Sequence, residues 1–153
     1  MIELIERIRA AQSPLRIRAG GSKDFYGQSC EGEILDVSAY RGIVSYEPGE
    51  LVLTAKCGTP LTEIEQLLAQ HGQMLAFEPP QFSDQSTLGG TLACGLSGPR
   101  RPYAGSARDF VLGMELIDGN GQHFKFGGQV IKNVAGYDAA RLMVGALGTL
   151  GVL

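Results

Sequence analysis

Apolar residues recur along the chain at two periods, which predict different elements. Near the start, Leu4, Ile5 and Ile8 fall on one face at helical spacing. They predict a short amphipathic helix over residues 2–12, which Pro14 would end. Helical spacing returns only further along the chain, after a group of strand-like segments.

Short β-prone segments fill most of the next forty residues. Residues 15–18 alternate apolar and basic side chains with a period of two and lead into a glycine turn. Residues 33–37, 42–46 and 51–55 are further strand-like stretches. A turn signal at 47–50 separates the last two. We expect these three stretches to form one small sheet.

The clearest helix is predicted after residue 58. Thr59 can cap this helix with Pro60 at its first position, and the helix should run to His71 and Gly72. Its apolar stripe comprises Leu61, Ile64, Leu67 and Leu68.

Residues 78–108 are rich in Gly, Pro, Ser and Thr and show no sustained helix or strand period, so they predict a long loop. Loops of this length are uncommon inside compact domains and are usually functional or disordered. Leu88, Leu92 and Leu96 recur at a spacing of four, which favours an ordered loop.

The last third of the chain predicts a hairpin, a helix and a strand. Residues 110–117 and 122–126 are strand-like, and the turn signal at 118–121 joins them. Residues 139–147 favour a helix, and 148–153 return to an apolar strand. Together the elements predict an α+β fold without the regular alternation of a doubly wound nucleotide fold.

Length and composition restrict the class of protein. A chain of 153 residues with 44% hydrophobic and 19% charged residues should fold around one core. Its net charge of −3 comes from interspersed signs, which predicts neither nucleic acid nor an anionic membrane as a partner. No stretch approaches the roughly 20 apolar residues of a membrane span. The acidic N-terminus does not resemble a signal peptide, so we expect a cytoplasmic protein.

The cysteines and histidines predict no metal site. Cys30, Cys57 and Cys94 are widely spaced and odd in number, which is typical of small apolar residues in a reducing compartment. His71 and His123 have no partner nearby in sequence, so we expect surface or structural roles for them. No catalytic residue can be named from these patterns.

Glycine is the unusual residue, because its 22 copies are about twice what an average usage of roughly 7% gives. Glycine-rich stretches at 20–23, at 87–91 with 95–98, and at 132–138 offer closely spaced backbone donors. Such donors suit a phosphate, which glycine lets approach without a Cβ in the way. One Gly-Gly pair alone indicates a turn. Their combination predicts nucleotide binding outside the G-x-G-x-x-G and P-loop folds, whose motifs are missing.

Six motifs in order carry a family resemblance over nearly the whole chain. They lie at residues 18–22, 79–80, 87–90, 105–109, 132–138 and 148–152. Together they resemble the FAD domain of the vanillyl-alcohol-oxidase (PCMH-type) family, with the wording at 132–138 most similar to the FAD-binding subunits of glycolate oxidases. The resemblance implies two small α+β subdomains, about 1–78 and 79–153, with FAD extended between them. The substrate-covering cap domain that follows in the family is absent from these 153 residues.

The resemblance also implies where FAD would bind. Residues 20–23 would form the first pyrophosphate loop, and residues 87–91 with 95–98 would wrap the pyrophosphate and ribityl side. Gly105 and Ser106 would lie near the flavin, and residues 148–152 would hold the adenosine end. The full set of expected cofactor-binding residues is Arg18, Gly20, Gly21, Ser22, Lys23, Thr87, Gly89, Gly90, Thr91, Gly95, Ser97, Gly98, Gly105, Ser106, Asp109, Gly148, Thr149, Gly151 and Val152.

Ser22 stands where relatives with covalent flavin carry a histidine, so non-covalent FAD is expected. The implied activity is that of an oxidoreductase component whose flavin takes a hydride from a 2-hydroxy acid such as glycolate. The implied partners are a second flavoprotein subunit and an iron–sulfur subunit, through which any association with the inner membrane would be made. The alternatives are a non-catalytic FAD-binding, structural or electron-relay subunit and an unrelated nucleotide-binding enzyme.

Overall fold

The computed structural model describes residues 1–128 and 137–153, which form a mixed α+β fold as predicted. Its helices are α1 (Ile2–Ala10), α2 (Leu61–Ala69), α3 (Leu88–Cys94), α4 (Arg101–Ala104) and α5 (Ala139–Leu142), with a 3₁₀ turn at Ala107–Phe110. Its strands are β1 (Leu15–Arg18), β2 (Glu33–Asp36), β3 (Ile43–Glu47), β4 (Val52–Ala55), β5 (Gly113–Ile117) and β6 (His123–Gly127). None of the helices in these two ranges is long and apolar enough to cross a membrane.

The strands pair two by two, so the predicted three-stranded sheet is wrong. β3 and β4 form an antiparallel pair, while β2 pairs in parallel with β1. β2 is held beside β1 from its first residue, since the Glu33 N–H donates to the Pro14 carbonyl at 3.0 Å. At Gly32 a Cβ would come within 2.6 Å of that same carbonyl oxygen, so the glycine permits the close approach.

One apolar cluster joins the two ends of the chain. Ile8 of α1 and Leu35 of β2 pack with Ile117 of β5 and with Val152, and each is at most 6% exposed. Val152 and Ile117 also exchange two backbone hydrogen bonds of 2.8 Å. This cluster takes residues from both sides of position 78, and the division into subdomains there stays a prediction.

Helix α2 is confirmed, but its predicted cap is wrong. The N-cap position is Pro60, and the helix buries Leu61 and Ile64 completely. The Thr59 hydroxyl, one residue earlier, donates to the Lys56 carbonyl at 2.6 Å and accepts the Gly42 N–H at 2.8 Å. Thr59 therefore joins two loops, because its hydroxyl bonds to Lys56 and Gly42 instead of capping the helix.

The predicted loop at 78–108 is ordered, as the leucine spacing indicated, but it contains two short helices and the 3₁₀ turn. Helix α3 begins at a cap in which the Thr87 hydroxyl accepts the Gly90 N–H at 3.2 Å. It ends at Gly95, whose φ of 64° only glycine adopts without strain. The spacing of four between Leu88 and Leu92 indicated order, but a segment of seven residues with two internal glycines is too short and too glycine-rich for that spacing to predict a helix.

The C-terminal third departs from the prediction in length. The hairpin of β5 and β6 is confirmed, although β5 starts at Gly113. The predicted helix 139–147 ends at Leu142, because positive φ angles at Gly145, Leu147 and Gly148 turn the chain. The last predicted strand is reduced to the single bridge of Val152 with Ile117. Positions 132–136 of the glycine motif lie outside the described residues.

Candidate functional site

A cleft of about 390 Å³ collects three stretches that are far apart in sequence. Its walls come from β1 and the loop after it, from the start and end of α3, and from the turn at 147–153. The sequence-predicted residues that line it are Arg18, Gly20, Gly21, Ser22, Lys23, Thr87, Gly89, Gly90, Gly148, Gly151 and Val152.

Other sequence-predicted residues do not line this cleft. They are Thr91, Gly95, Ser97, Gly98, Gly105, Ser106, Asp109 and Thr149. Three of them form hydrogen bonds within the segment 97–109 instead. The Ser97 hydroxyl accepts the Ala107 N–H at 2.9 Å, and Ser106 and Asp109 form a reciprocal cap on the 3₁₀ turn. The Ser106 bonds hold the pKa of the Asp109 carboxyl below its usual value.

The first glycine loop is fixed against the segment that precedes α3. Gly20 lies so close to the Gln85 backbone that a Cβ at position 20 would overlap the Gln85 carbonyl oxygen. Beside this contact, the Ser86 hydroxyl donates to the Ser22 hydroxyl at 3.1 Å. The two walls of the cleft therefore touch at a position that tolerates no side chain.

The second wall is attached to the segment before α2 by three backbone hydrogen bonds. The Gly89 N–H donates to the Cys57 carbonyl at 2.7 Å, and the Leu88 N–H donates to the Thr59 carbonyl at 2.9 Å. In the opposite direction, the Leu61 N–H donates to the backbone carbonyl of Ser86 at 2.8 Å. These bonds place the α3 N-terminus at the cleft, where the Gly89 N–H is bonded to Cys57 and the Gly90 N–H to the Thr87 hydroxyl.

The third wall is the turn that follows α5. Leu147 has a φ of 53°, a left-handed conformation that is unfavourable for leucine. Its N–H donates to the Ala93 carbonyl of α3 at 2.8 Å, which keeps the turn against the second wall. Sequence reasoning missed Leu147 as a lining residue, because no local signal marks a leucine in this conformation.

Basic side chains outnumber acidic ones three to one among the lining residues, although the whole chain carries a net charge of −3. Asp24 is the acidic residue. Its carboxylate accepts from Arg18 at 2.9 Å and lies 3.3 Å from the Arg16 guanidinium. The remaining cation is Lys23, so the cleft has a local excess of positive charge that favours an anion.

Lys23 is the most unusual residue of the cleft, because it is charged and only 8% exposed. Its Nζ is buried without a hydrogen-bond partner anywhere in the described ranges, and lies 5.9 Å from the centre of the Phe82 ring. Burial lowers the pKa of this amine, and Cys94 would act in the opposite direction only in its ionised form.

Three free thiols also line the cleft, which sequence reasoning did not connect with it. Cys30 is exposed, whereas Cys57 and Cys94 are partly covered. Burial raises the pKa of Cys57 to about 11, and it also raises that of Cys94. Cys57 and Cys94 are therefore neutral at physiological pH and suit the apolar part of the wall.

Comparison with known proteins identifies the family. The family model described as FAD binding domain matches residues 1–127. Glycolate oxidase subunit GlcE of Escherichia coli is 54% identical over 153 residues, all of this chain but 44% of that protein. Glycolate oxidase subunit GlcD of Bacillus subtilis is 32% identical over 139 residues, 88% of this chain and 29% of that protein. D-lactate dehydrogenase of Archaeoglobus fulgidus is 34% identical over 96 residues, 63% of this chain and 21% of that protein.

The chain thus spans less than half the length of these three relatives. The family model nevertheless matches well over half of the chain, and the predicted resemblance is confirmed. The protein belongs to the family of FAD binding domains.

Proposed function

We propose that the glycine-lined cleft binds FAD non-covalently and that the chain is the FAD-binding part of a 2-hydroxy-acid oxidoreductase. The observation that carries this proposal is the convergence of glycine-rich residues 20–23, 87–90 and 148–152 on one cleft. Residues 20–23 and 87–91 were selected as glycine-rich candidates, the family resemblance added 148–152, and the meeting of these stretches in one place supports a shared ligand.

The chemistry of the cleft fits a diphosphate. Gly20 and Gly89 let the walls of the cleft pack closely, since a Cβ at either position would meet atoms of Gln85 or Cys57. Lys23 supplies a buried ammonium that lacks a counter-charge in the described structure. Bound FAD would supply the hydride-accepting ring, while this chain would hold and orient the cofactor. Ser22 offers no imidazole for a covalent bond to the flavin.

The names of the relatives support the proposed substrate class. They include glycolate oxidase subunits and a D-lactate dehydrogenase, and both glycolate and lactate are 2-hydroxy acids. GlcE and GlcD are both described as glycolate oxidase subunits. We therefore propose assembly with a second flavoprotein subunit and, as the finer step, with an iron–sulfur subunit.

The visible absorption spectrum of the purified chain tests FAD binding directly. The spectrum is recorded before and after FAD is added and the protein desalted. We expect flavin bands that remain with the protein and are released into solution by acid precipitation, because the cofactor is not covalently attached. A colourless chain that binds no added FAD on titration would contradict the proposal and favour the alternative of a structural subunit.

Replacing Thr91 with valine tests which residues of the second wall reach the cofactor. Thr91 is completely buried and its hydroxyl has no partner in the described structure, so we expect Thr91→Val to raise the free energy of unfolding by about 1 kcal/mol. FAD affinity should be unchanged. Urea unfolding and FAD titration measure the two effects. An affinity loss of more than about threefold would show that this hydroxyl contacts the cofactor.

A further inference from the structure

The Lys23 ammonium is a buried charge whose possible counter-ions in the cleft are already engaged or neutral. Asp24 is the acidic side chain among the lining residues, and both arginines of β1 engage its carboxylate, Arg18 at 2.9 Å and Arg16 at 3.3 Å. Cys94 faces Lys23 from α3. Burial raises the pKa of that thiol, so Cys94 contributes no negative charge at neutral pH.

The remaining surroundings of Lys23 do not compensate the charge either. The Phe82 ring centre lies 5.9 Å from Nζ, near the outer limit for attraction between a cation and an aromatic face. The other titratable side chains that line the cleft are Tyr26, Cys30 and Cys57, and none is a carboxylate. A buried ammonium without a counter-charge is costly, and an anionic ligand in the cleft would supply the charge that Lys23 lacks.

We propose that Lys23 is the counter-charge of the FAD diphosphate and that cofactor binding is coupled to protonation of its amine. The inference rests on the proposed function, since it takes FAD as the ligand of the cleft. It assigns to one side chain what backbone donors alone would not provide, namely a dependence of affinity on pH.

The sign of this dependence follows from the environment of the amine. In the free protein, burial lowers the pKa of Lys23, whereas a neighbouring diphosphate would raise it. Below both pKa values the amine is protonated with or without FAD, and affinity does not depend on this group. Between the two values FAD binding takes up a proton, and affinity falls with rising pH by at most about tenfold per pH unit.

Isothermal titration calorimetry of the purified chain with FAD tests the coupling. Titrations in two buffers of different ionisation enthalpy, at about pH 7 and about pH 9.5, count the protons taken up near the ordinary lysine pKa. We expect no uptake at the lower pH and net uptake at the higher pH. Protons exchanged by the flavin itself are identified by comparison with the variants, since their cofactor is the same.

Two variants isolate the amine. Lys23→Met keeps a side chain of similar length without charge, and we expect FAD to bind at least about tenfold more weakly, without the Lys23-dependent proton. Lys23→Arg keeps a charge that does not titrate in this range, so it should bind more tightly than Lys23→Met and lack the pH dependence. The melting temperature of the free Lys23→Met protein should rise by several degrees, because an uncompensated buried charge is removed.

The outcomes separate the inference from the function on which it rests. If the wild-type chain binds no FAD at either pH, the proposed function fails. If the wild type binds FAD and Lys23→Met has the same affinity and the same proton uptake, FAD binding stands and the role of Lys23 is overturned. A Lys23→Met protein that binds weakly but takes up as many protons as the wild type overturns the proton coupling. The raised melting temperature distinguishes weak binding from misfolding.

Discussion

Replacing Gly20 with alanine is expected to abolish FAD retention and to lower the free energy of unfolding by about 3 kcal/mol. The added Cβ would overlap the Gln85 carbonyl oxygen and would also meet the adjoining carbonyl carbon at 2.6 Å. These are backbone atoms, which cannot rotate away as the end of a side chain can. The two walls of the cleft must therefore separate, and the 3.1 Å bond of Ser22 with Ser86 should be lost with them.

Chemical denaturation and the flavin absorbance retained after desalting measure the two effects of Gly20→Ala. Gly49→Ala is the matched control, because Gly49 lies in an exposed turn and a Cβ there would meet nothing within 4 Å. The control should retain flavin and change the free energy of unfolding by no more than about 0.5 kcal/mol. A Gly20→Ala protein that retains flavin with normal stability would show that the contact of the two walls is dispensable.

Local sequence patterns were sufficient to predict those helices and strands whose residues favour that structure by themselves. Helix α1, helix α2 and the hairpin of β5 and β6 follow from apolar periods and turn residues, and the structure confirms all three. Helix α3 has only the spacing of four between Leu88 and Leu92, which indicated an ordered loop rather than a helix. It forms where the Thr87 cap and the close packing of Gly89 on Cys57 favour it, and that packing depends on a segment thirty residues earlier in the chain.

The candidate site, too, was predictable where local sequence patterns mark it and not where it depends on long-range packing. Glycine spacing marked residues 20–23 and 87–91 as candidates, the family resemblance added 148–152, and the structure brings residues of all three stretches to one cleft. The sequence did not show which of their residues face the cleft: Thr87 lines it, whereas Thr91, one helical turn later, is completely buried. Cys94 and Leu147 reach the cleft only through long-range packing, for which neither residue carries a local signature.

Replacing Thr59 with valine is expected to lower the free energy of unfolding by at least about 3 kcal/mol. The side chain is completely buried, and its hydroxyl bonds the Lys56 carbonyl at 2.6 Å and the Gly42 N–H at 2.8 Å, with the Gly42 carbonyl a further acceptor at 3.2 Å. Valine has nearly the same shape but leaves these groups without their partner. Buried polar groups that lose a partner each cost about 1–3 kcal/mol.

The effect of Thr59→Val should extend to the cofactor, because the Thr59 carbonyl accepts the Leu88 N–H at 2.9 Å and so helps to hold the second wall of the cleft. Thr59→Ser is the control, since it keeps the hydroxyl and removes only a methyl group, at a cost of about 1 kcal/mol. Urea unfolding and FAD titration of both variants separate hydrogen bonding from packing. A larger loss in Thr59→Ser than in Thr59→Val would assign the role of Thr59 to its methyl group. A larger loss in Thr59→Val would show that a hydroxyl, placed for the fold rather than for the ligand, determines the shape of the cleft.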